Sequence, residues 1–203
     1  MRKPNLNNER KYWNAGYQYV CGIDEVGRGC WAGPLYVGAA IFPQNTRMID
    51  EVQDSKLLTA RIRLGLYDEI MKKALSVGVG FVSALEIDTL GLTGATLLAM
   101  ERAIEKLRIK SDFFLTDSVK FEKYNYLSIL HGDEISYSIA AASIIAKVER
   151  DEYMANHPLA EKYYFKENKG YGTRKHQEMI KKHGISEIHR RSFKPIMNFY
   201  EKY

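Results

Sequence analysis

Long apolar runs are missing from this sequence. The longest, YVGAAIF and SIAAASIIA, fall well short of the roughly 20 residues needed to cross a bilayer, so no membrane span is expected. Cysteine is scarce too: Cys21 and Cys30 stand nine positions apart, which matches neither a zinc spacing nor a disulfide framework, and both read as ordinary thiols. The opening MRKPNLNNERKYW carries basic residues with no apolar stretch behind them. The expectation is therefore neither a secretory leader nor an anchor, and a cytoplasmic setting follows. No internal repeat or low-complexity segment is present. GVG at 78–80 lacks the third glycine of a dinucleotide fingerprint, which sets a Rossmann site aside.

What is present is an ordinary globular composition, 45% hydrophobic and 27% charged, which excludes a disordered or fibrous chain. A length of 203 residues suits a single domain over 1–203. Charge is uneven: residues 161–203 hold eleven Lys and Arg against five Asp and Glu, while the first 160 are close to neutral. From charge alone, such a block suits either a polyanionic partner or a solvated basic helix. The stretch from about 160 to 203 is read as a basic helical C-terminal portion.

YVCGID (19–24) and YVGAAIF (36–42) read as adjacent strands joined by the Gly/Pro-rich GRGCWAGP. Between Thr59 and Leu75, Ile62, Leu66, Ile70 and Ala74 recur four apart, as on one face of a helix, and VGVGFVSA returns to a strand pattern. Residues 94–109 put Leu97, Met100, Ala103, Ile104 and Leu107 on one helical face, and DFFLTD reads as a short buried strand ending at Asp117. From Ser138, SIAAASIIAKVERDEYM is uninterrupted and rich in small residues, which predicts a closely packed helix. Thr173 is a candidate N-cap for a basic helix running to Gly184, and HRRSFKP reads as an ordered loop or tail. The alternation is α/β.

Asp24 closes the first predicted strand and Asp117 a later one. In sheets flanked by helices, sites assemble at strand ends, so two distant acids can converge there. Clustered carboxylates repel one another unless a divalent cation holds them ionised, and all-oxygen ligation favours Mg²⁺ or Mn²⁺. An Asp-Glu pair by itself is most often a solvated turn. The sequel VGRG changes that weighing, because glycines on both sides of Arg28 leave backbone amides unshielded while the guanidinium can engage a phosphate bidentately. A metal site beside an anion cradle points to phosphodiester chemistry.

GIDEVGRGCWAGPLYVGAAIF, DSKLLT, SIAAASIIAKVERD, KGYGTRKH and HRRSF, in that order between about residues 22 and 193, resemble the successive signature segments of bacterial ribonuclease HII. The resemblance implies the ribonuclease H-like fold, an α/β mixed five-stranded sheet flanked by helices, with a C-terminal helical extension that helps to bind substrate. It implies four carboxylates, Asp24, Glu25, Asp117 and Asp133, as catalytic residues and metal ligands. The family's acid directly follows a glycine ahead of the small-residue helix, which selects Asp133 over Glu134. Asp151 lies several turns further on at ~1.5 Å per residue if that helix is continuous, and reads as structural.

The resemblance also gives Gly27, Arg28 and Gly29 the sensing of a 2′-hydroxyl through backbone groups, a feature that DNA lacks. Tyr171 would pack on the nucleotide after the ribonucleotide. Lys56, Ser143 and Lys147 would touch phosphates or support the site. Arg190 and Arg191 either bind the duplex or cap local carbonyls, and His131 stands where the family often has lysine; these roles stay open.

The implied activity is cleavage of the RNA strand of DNA·RNA hybrids and nicking of duplex DNA 5′ of single embedded ribonucleotides, leaving 5′-phosphate and 3′-hydroxyl ends. It would use two ions about 3.5–4 Å apart, bridged by Asp24, and would serve ribonucleotide excision repair as a monomer. No motif for a protein partner is visible. Ribonuclease HIII is the nearest rival, but that family carries an additional N-terminal domain and lacks this GRG, whereas 23 residues precede Asp24 here. From a different class, a nucleic-acid-binding module whose acids only shape a polar cleft is the alternative; the presence of all four carboxylates argues against it.

Overall fold

The computed structural model describes residues 3–200. Its strands are β1 (Val20–Val26), β2 (Leu35–Ile41), β3 (Ser76–Val82), β4 (Phe113–Asp117) and β5 (Tyr126–Ile129). They make one mixed sheet in the order β3-β2-β1-β4-β5. β1, β2 and β3 are an antiparallel meander, while β4 joins the free edge of β1 in parallel and β5 joins β4 likewise. The helices are α1 (Asn7–Asn14), α2 (Ala60–Lys73), α3 (Ala84–Glu105), α4 (Tyr137–Asn156), α5 (Ala160–Tyr163), α6 (Phe165–Asn168), α7 (Arg174–His183) and α8 (Lys194–Tyr200).

The sheet is covered on both sides, so its central strands read as continuous apolar runs. Cys21 and Ile23 of β1 and Val37, Ala39 and Ile41 of β2 face α3, where they meet Ala95, Ala99, Met100 and Ala103. Val20 and Ala40 face α4 with Ile144 and Ile145, whose full burial contributes roughly 1.5–3 kcal/mol each. Backbone meets backbone along this seam. A Cβ on Gly22 would fall inside the main chain of Ser138 and Ile139, one on Gly38 inside that of Ala142, and ones on Gly78 and Gly80 inside that of α3. Small residues are therefore needed on both sides of the contact, as the run at Ala140–Ala142, fully buried, bears out.

The start of α4 is fixed from a distance. Ser136 caps it by accepting from the Ile139 amide, and the buried Glu9 of α1 accepts from the hydroxyls of Ser136 and Ser138, both at 2.6 Å, and from the Ser138 amide at 2.9 Å. A carboxylate at a helix N-terminus complements the helix dipole. It also anchors the turn that leads into α4.

Several elements depart from the sequence reading. β1 runs two residues further than predicted, so Asp24 lies within the strand rather than at its end. α3 begins at Ala84, ahead of the predicted 94, with a Ser83/Glu86 capping box and a break at Gly91 (φ 69°, ψ 163°) that interrupts its periodicity. Ile62 is 45% exposed, so the buried stripe of α2 is narrower than its spacing implied. Helix α1 is almost wholly polar, β5 is a half-buried edge strand without alternation, and α5 and α6 have four residues each. None of these offers a period to read. The C-terminal stretch read as loop or tail turns helical at Lys194.

Candidate active site

Asp24 and Glu25 leave β1 on opposite faces, as successive strand residues must, which relieves the repulsion of neighbouring acids. β4 lies parallel beside them with Ile23 opposite Thr116, so the next residue along each strand brings Asp24 beside Asp117. Asp133 arrives separately, on a short 3₁₀ turn (Gly132–Glu134) between β5 and α4. Asp117 holds that turn by accepting from the Gly132 amide at 3.0 Å, and it also accepts from the Ser118 hydroxyl at 2.9 Å. A Cβ on Gly132 would press on the end of the Ile139 side chain at 2.7 Å and lie 3.4 Å from Asp117 Cα, so the turn packs closely against both.

Carboxylate oxygens of Asp24, Asp117 and Asp133 all lie within 4.8 Å of one another. Glu25 stands at the edge of the group, paired with the Arg28 guanidinium at 3.3 Å. Burial, followed by the charges of Glu25, Asp117 and Asp133, pushes the Asp24 carboxyl well above the ordinary range, and Ser143 offsets this in part. Burial also raises Glu25, against the pull of Arg28, and raises Asp133, against that of Lys56. Burial opposes the charge on Lys56, yet its 3.1 Å contact with Asp133 raises that ammonium overall. One ammonium and one guanidinium do not balance four clustered acids. An oxygen-only donor set with surplus negative charge fits a hard divalent cation.

Above the acids is a cleft of about 230 Å³, lined by residues that include Gly27, Arg28, Gly29, Lys56, Ser143, Lys147 and Tyr171. These seven residues and the carboxylates therefore meet in one place, but the two glycines differ. Gly27 has φ +91°, and a Cβ there would strike the Arg150 side chain, whereas a Cβ on Gly29 would meet nothing within 4 Å. Gly27 shapes the loop; Gly29 leaves its outer surface open. Gly29→Val is expected to melt like the wild type, since such exposed changes fall within about 0.5 kcal/mol, and to act on its substrate about a hundredfold more slowly if this open loop surface receives it. An unchanged rate would remove Gly29 from substrate recognition.

The loops are held by buried arginines whose role the sequence left unassigned or open. Arg150 of α4 donates to the carbonyls of Pro34 (2.9 Å), Lys169 (2.9 Å) and Ala32 (3.3 Å). Arg190 donates to those of Gly33 (3.0 Å) and Arg28 (2.9 Å). Arg190 thus caps carbonyls and, being fully buried, does not bind the duplex. The Arg191 amide donates to Asp88. Ser143 shares a hydrogen bond with the buried Ser55 at 3.0 Å. Lys147 pairs with Asp151 at 2.7 Å and Arg63 approaches the same acid at 3.5 Å, on an unbroken α4, which agrees with the structural reading of Asp151. Tyr171, 41% exposed, has the Lys147 ammonium and the Arg150 guanidinium each 6.0 Å from its ring centre. His131 is exposed, with φ 56°, and opens the turn to Asp133.

A three-stranded meander extended in parallel, with acids gathered where the first and fourth strands run side by side, is the architecture of the ribonuclease H-like hydrolases. The family profile described as Ribonuclease HII matches residues 21–196. The chain belongs to the ribonuclease HII family. It is 45% identical over 193 residues to the ribonuclease HII of Acholeplasma laidlawii, covering 95% of each chain. The ribonuclease H2 of Pyrococcus horikoshii OT3 superposes with a TM-score of 0.75 at 28% identity, covering 90% of this chain and 97% of that one. The ribonuclease HII in the PCNA complex from Archaeoglobus fulgidus does so with 0.73 at 28%, covering 87% and 95%. The protein is accordingly an endoribonuclease of the ribonuclease H kind, from a metal-dependent family that acts on RNA–DNA hybrids. Among the described residues no helix is long and apolar enough to cross a membrane.

Proposed function

We propose that this enzyme cuts the RNA strand of DNA·RNA hybrids and nicks duplex DNA 5′ of a single embedded ribonucleotide, leaving 5′-phosphate and 3′-hydroxyl ends. The observation that carries this reading is the meeting of three carboxylates within 4.8 Å under a cleft walled by the GRG loop and Tyr171. Asp24, Glu25, Asp117 and Asp133 would hold two Mg²⁺ or Mn²⁺ ions. Bound ions of this kind activate water and stabilise the leaving oxygen of an in-line displacement.

The chain's own groups do the selecting. Gly29 lets a sugar come close to the loop's backbone, where a 2′-hydroxyl can both donate and accept. Arg28 is free to exchange its surface contact with Glu25, of a kind worth little in water, for a bidentate grip on a phosphate. Tyr171 offers its ring to the following nucleotide, and Lys56 orients Asp133. Residues 160–203 of this single-domain, monomeric and cytoplasmic protein would add positive charge along the duplex backbone.

The test is nicking of a duplex bearing one ribonucleotide, with and without a chelator, by the wild type and by Asp117→Asn. The expected result is cutting 5′ of the ribonucleotide that chelator and substitution each abolish. Binding with no metal-dependent cut would favour a nucleic-acid-binding module instead.

A further inference from the structure

His176 in KGYGTRKH and His189 in HRRSF belong to none of the roles above, yet both are buried, at 0% and 1% exposure. Their Nε2 atoms are 3.0 Å apart. His176 Nδ1 lies 2.9 Å from the Tyr171 carbonyl oxygen, and His189 Nδ1 lies 2.9 Å from the Ser186 amide nitrogen. These contacts dictate where the protons sit. A carbonyl only accepts, so His176 carries its proton on Nδ1 and presents a bare Nε2. An amide N–H only donates, so His189 is bare at Nδ1 and carries its proton on Nε2. The two requirements agree: His189 Nε2–H donates to His176 Nε2, and His176 Nδ1–H donates to Tyr171. Burial favours the neutral form that this chain of bonds needs, lowering both imidazoles, His189 to about 3.

Each link has a single direction, from the loop at Ser186 to the peptide of Tyr171. The same carbonyl accepts from the Thr173 amide at 2.8 Å, and Trp31 and Ala32 hold the neighbouring Gly170 carbonyl from the other side. We propose that His189 and His176 form a positioning relay that fixes the Tyr171 backbone, and through it the ring, at the mouth of the cleft. This rests on the reading of Tyr171 as the residue that packs on the nucleotide after the ribonucleotide. Without the His189 donor, His176 Nε2 is a buried acceptor with no partner. The ring then loses the contact that holds its far side, and is free to shift toward any donor or water that can reach Nε2, weakening its bond to Tyr171.

The experiment is a double-mutant cycle on a one-ribonucleotide duplex, with KM and kcat measured separately for wild type, His189→Leu, His189→Gln, Tyr171→Ala and His189→Leu/Tyr171→Ala. His189→Leu is expected to raise KM about tenfold, the effect of about one buried hydrogen bond, with a smaller change in kcat. His189→Gln, which keeps a donor near the Nε2 position, is expected to restore most of it. In the Tyr171→Ala background His189→Leu should add nothing, because both changes act through one group. An equal effect in both backgrounds, or a normal KM for His189→Leu while Tyr171→Ala is impaired, overturns the relay alone. Unimpaired Tyr171→Ala overturns the reading of Tyr171 and the relay with it. Should the variants not fold, long-range ¹H–¹⁵N spectra of the wild type decide: His176 as the Nδ1–H tautomer and His189 as Nε2–H are expected, and any other pair of tautomers overturns the proposal.

Discussion

Asp24→Asn is expected to lower cleavage by a thousandfold or more, on the order of 4 kcal/mol at about 1.36 kcal/mol per decade, while making the metal-free protein more stable at neutral pH. The two effects have one origin. Asp24 is 6% exposed and its carboxyl is pushed well up by burial and by three neighbouring acids. The folded state therefore binds this proton more tightly than the unfolded chain does. Stability from this group is highest below the unfolded carboxylate pKa of about 4 and falls as pH rises toward the raised folded value. Asparagine removes the charge but keeps an oxygen to accept from the Glu25 amide, which donates to Asp24 at 2.8 Å. Denaturant unfolding in chelator at pH 7 should show a higher midpoint for the variant, with a weaker fall from pH 4 upward. Added Mn²⁺ should favour the wild type. A variant less stable than wild type in chelator at pH 7 would refute this account of the site's charge.

Arg150→Ala is expected to lose about 3–5 kcal/mol, the range for stripping one partner from a buried charged network. Its guanidinium serves three carbonyls from two separate loops, at Ala32, Pro34 and Lys169, and each orphaned carbonyl costs about 1–3 kcal/mol unless water reaches it. Against a total stability of about 5–15 kcal/mol the change is large. Arg150→Lys should recover little, because a compact ammonium cannot span the positions that a planar fork reaches. Urea unfolding of the three proteins measures this directly. A loss under about 1 kcal/mol would mean that water replaces the guanidinium and that the loops do not depend on it.

Four strands and parts of the two long helices were legible from apolar runs and small-residue stretches, and Asp24 and Asp117 because they close such runs; β5 was not, and Asp133 came only through the resemblance to ribonuclease HII. The supports were not legible either. A buried arginine such as Arg150 has the same neighbours in sequence as a solvated one, and its partners are main-chain carbonyls that no residue type announces. Arg190 stayed ambiguous for the same reason. Glu9 sits in a polar helix where nothing distinguishes a buried acid from its exposed neighbours, and His176 and His189, thirteen positions apart, acquire meaning only once the chain between them folds back to bring their rings together. The difference between Gly27 and Gly29 likewise depends on what lies beneath the loop.

The glycine seam between α4 and the sheet has a mechanical outcome. Where helix and strand touch through their main chains, no layer of side chains can change rotamer and let one slide over the other. Asp24 on the sheet and Ser143 on the helix thus sit on what is effectively one solid block. Their separation is set by main-chain van der Waals contact, and warming or loosening the rim leaves the floor of the cleft unchanged until the whole layer parts.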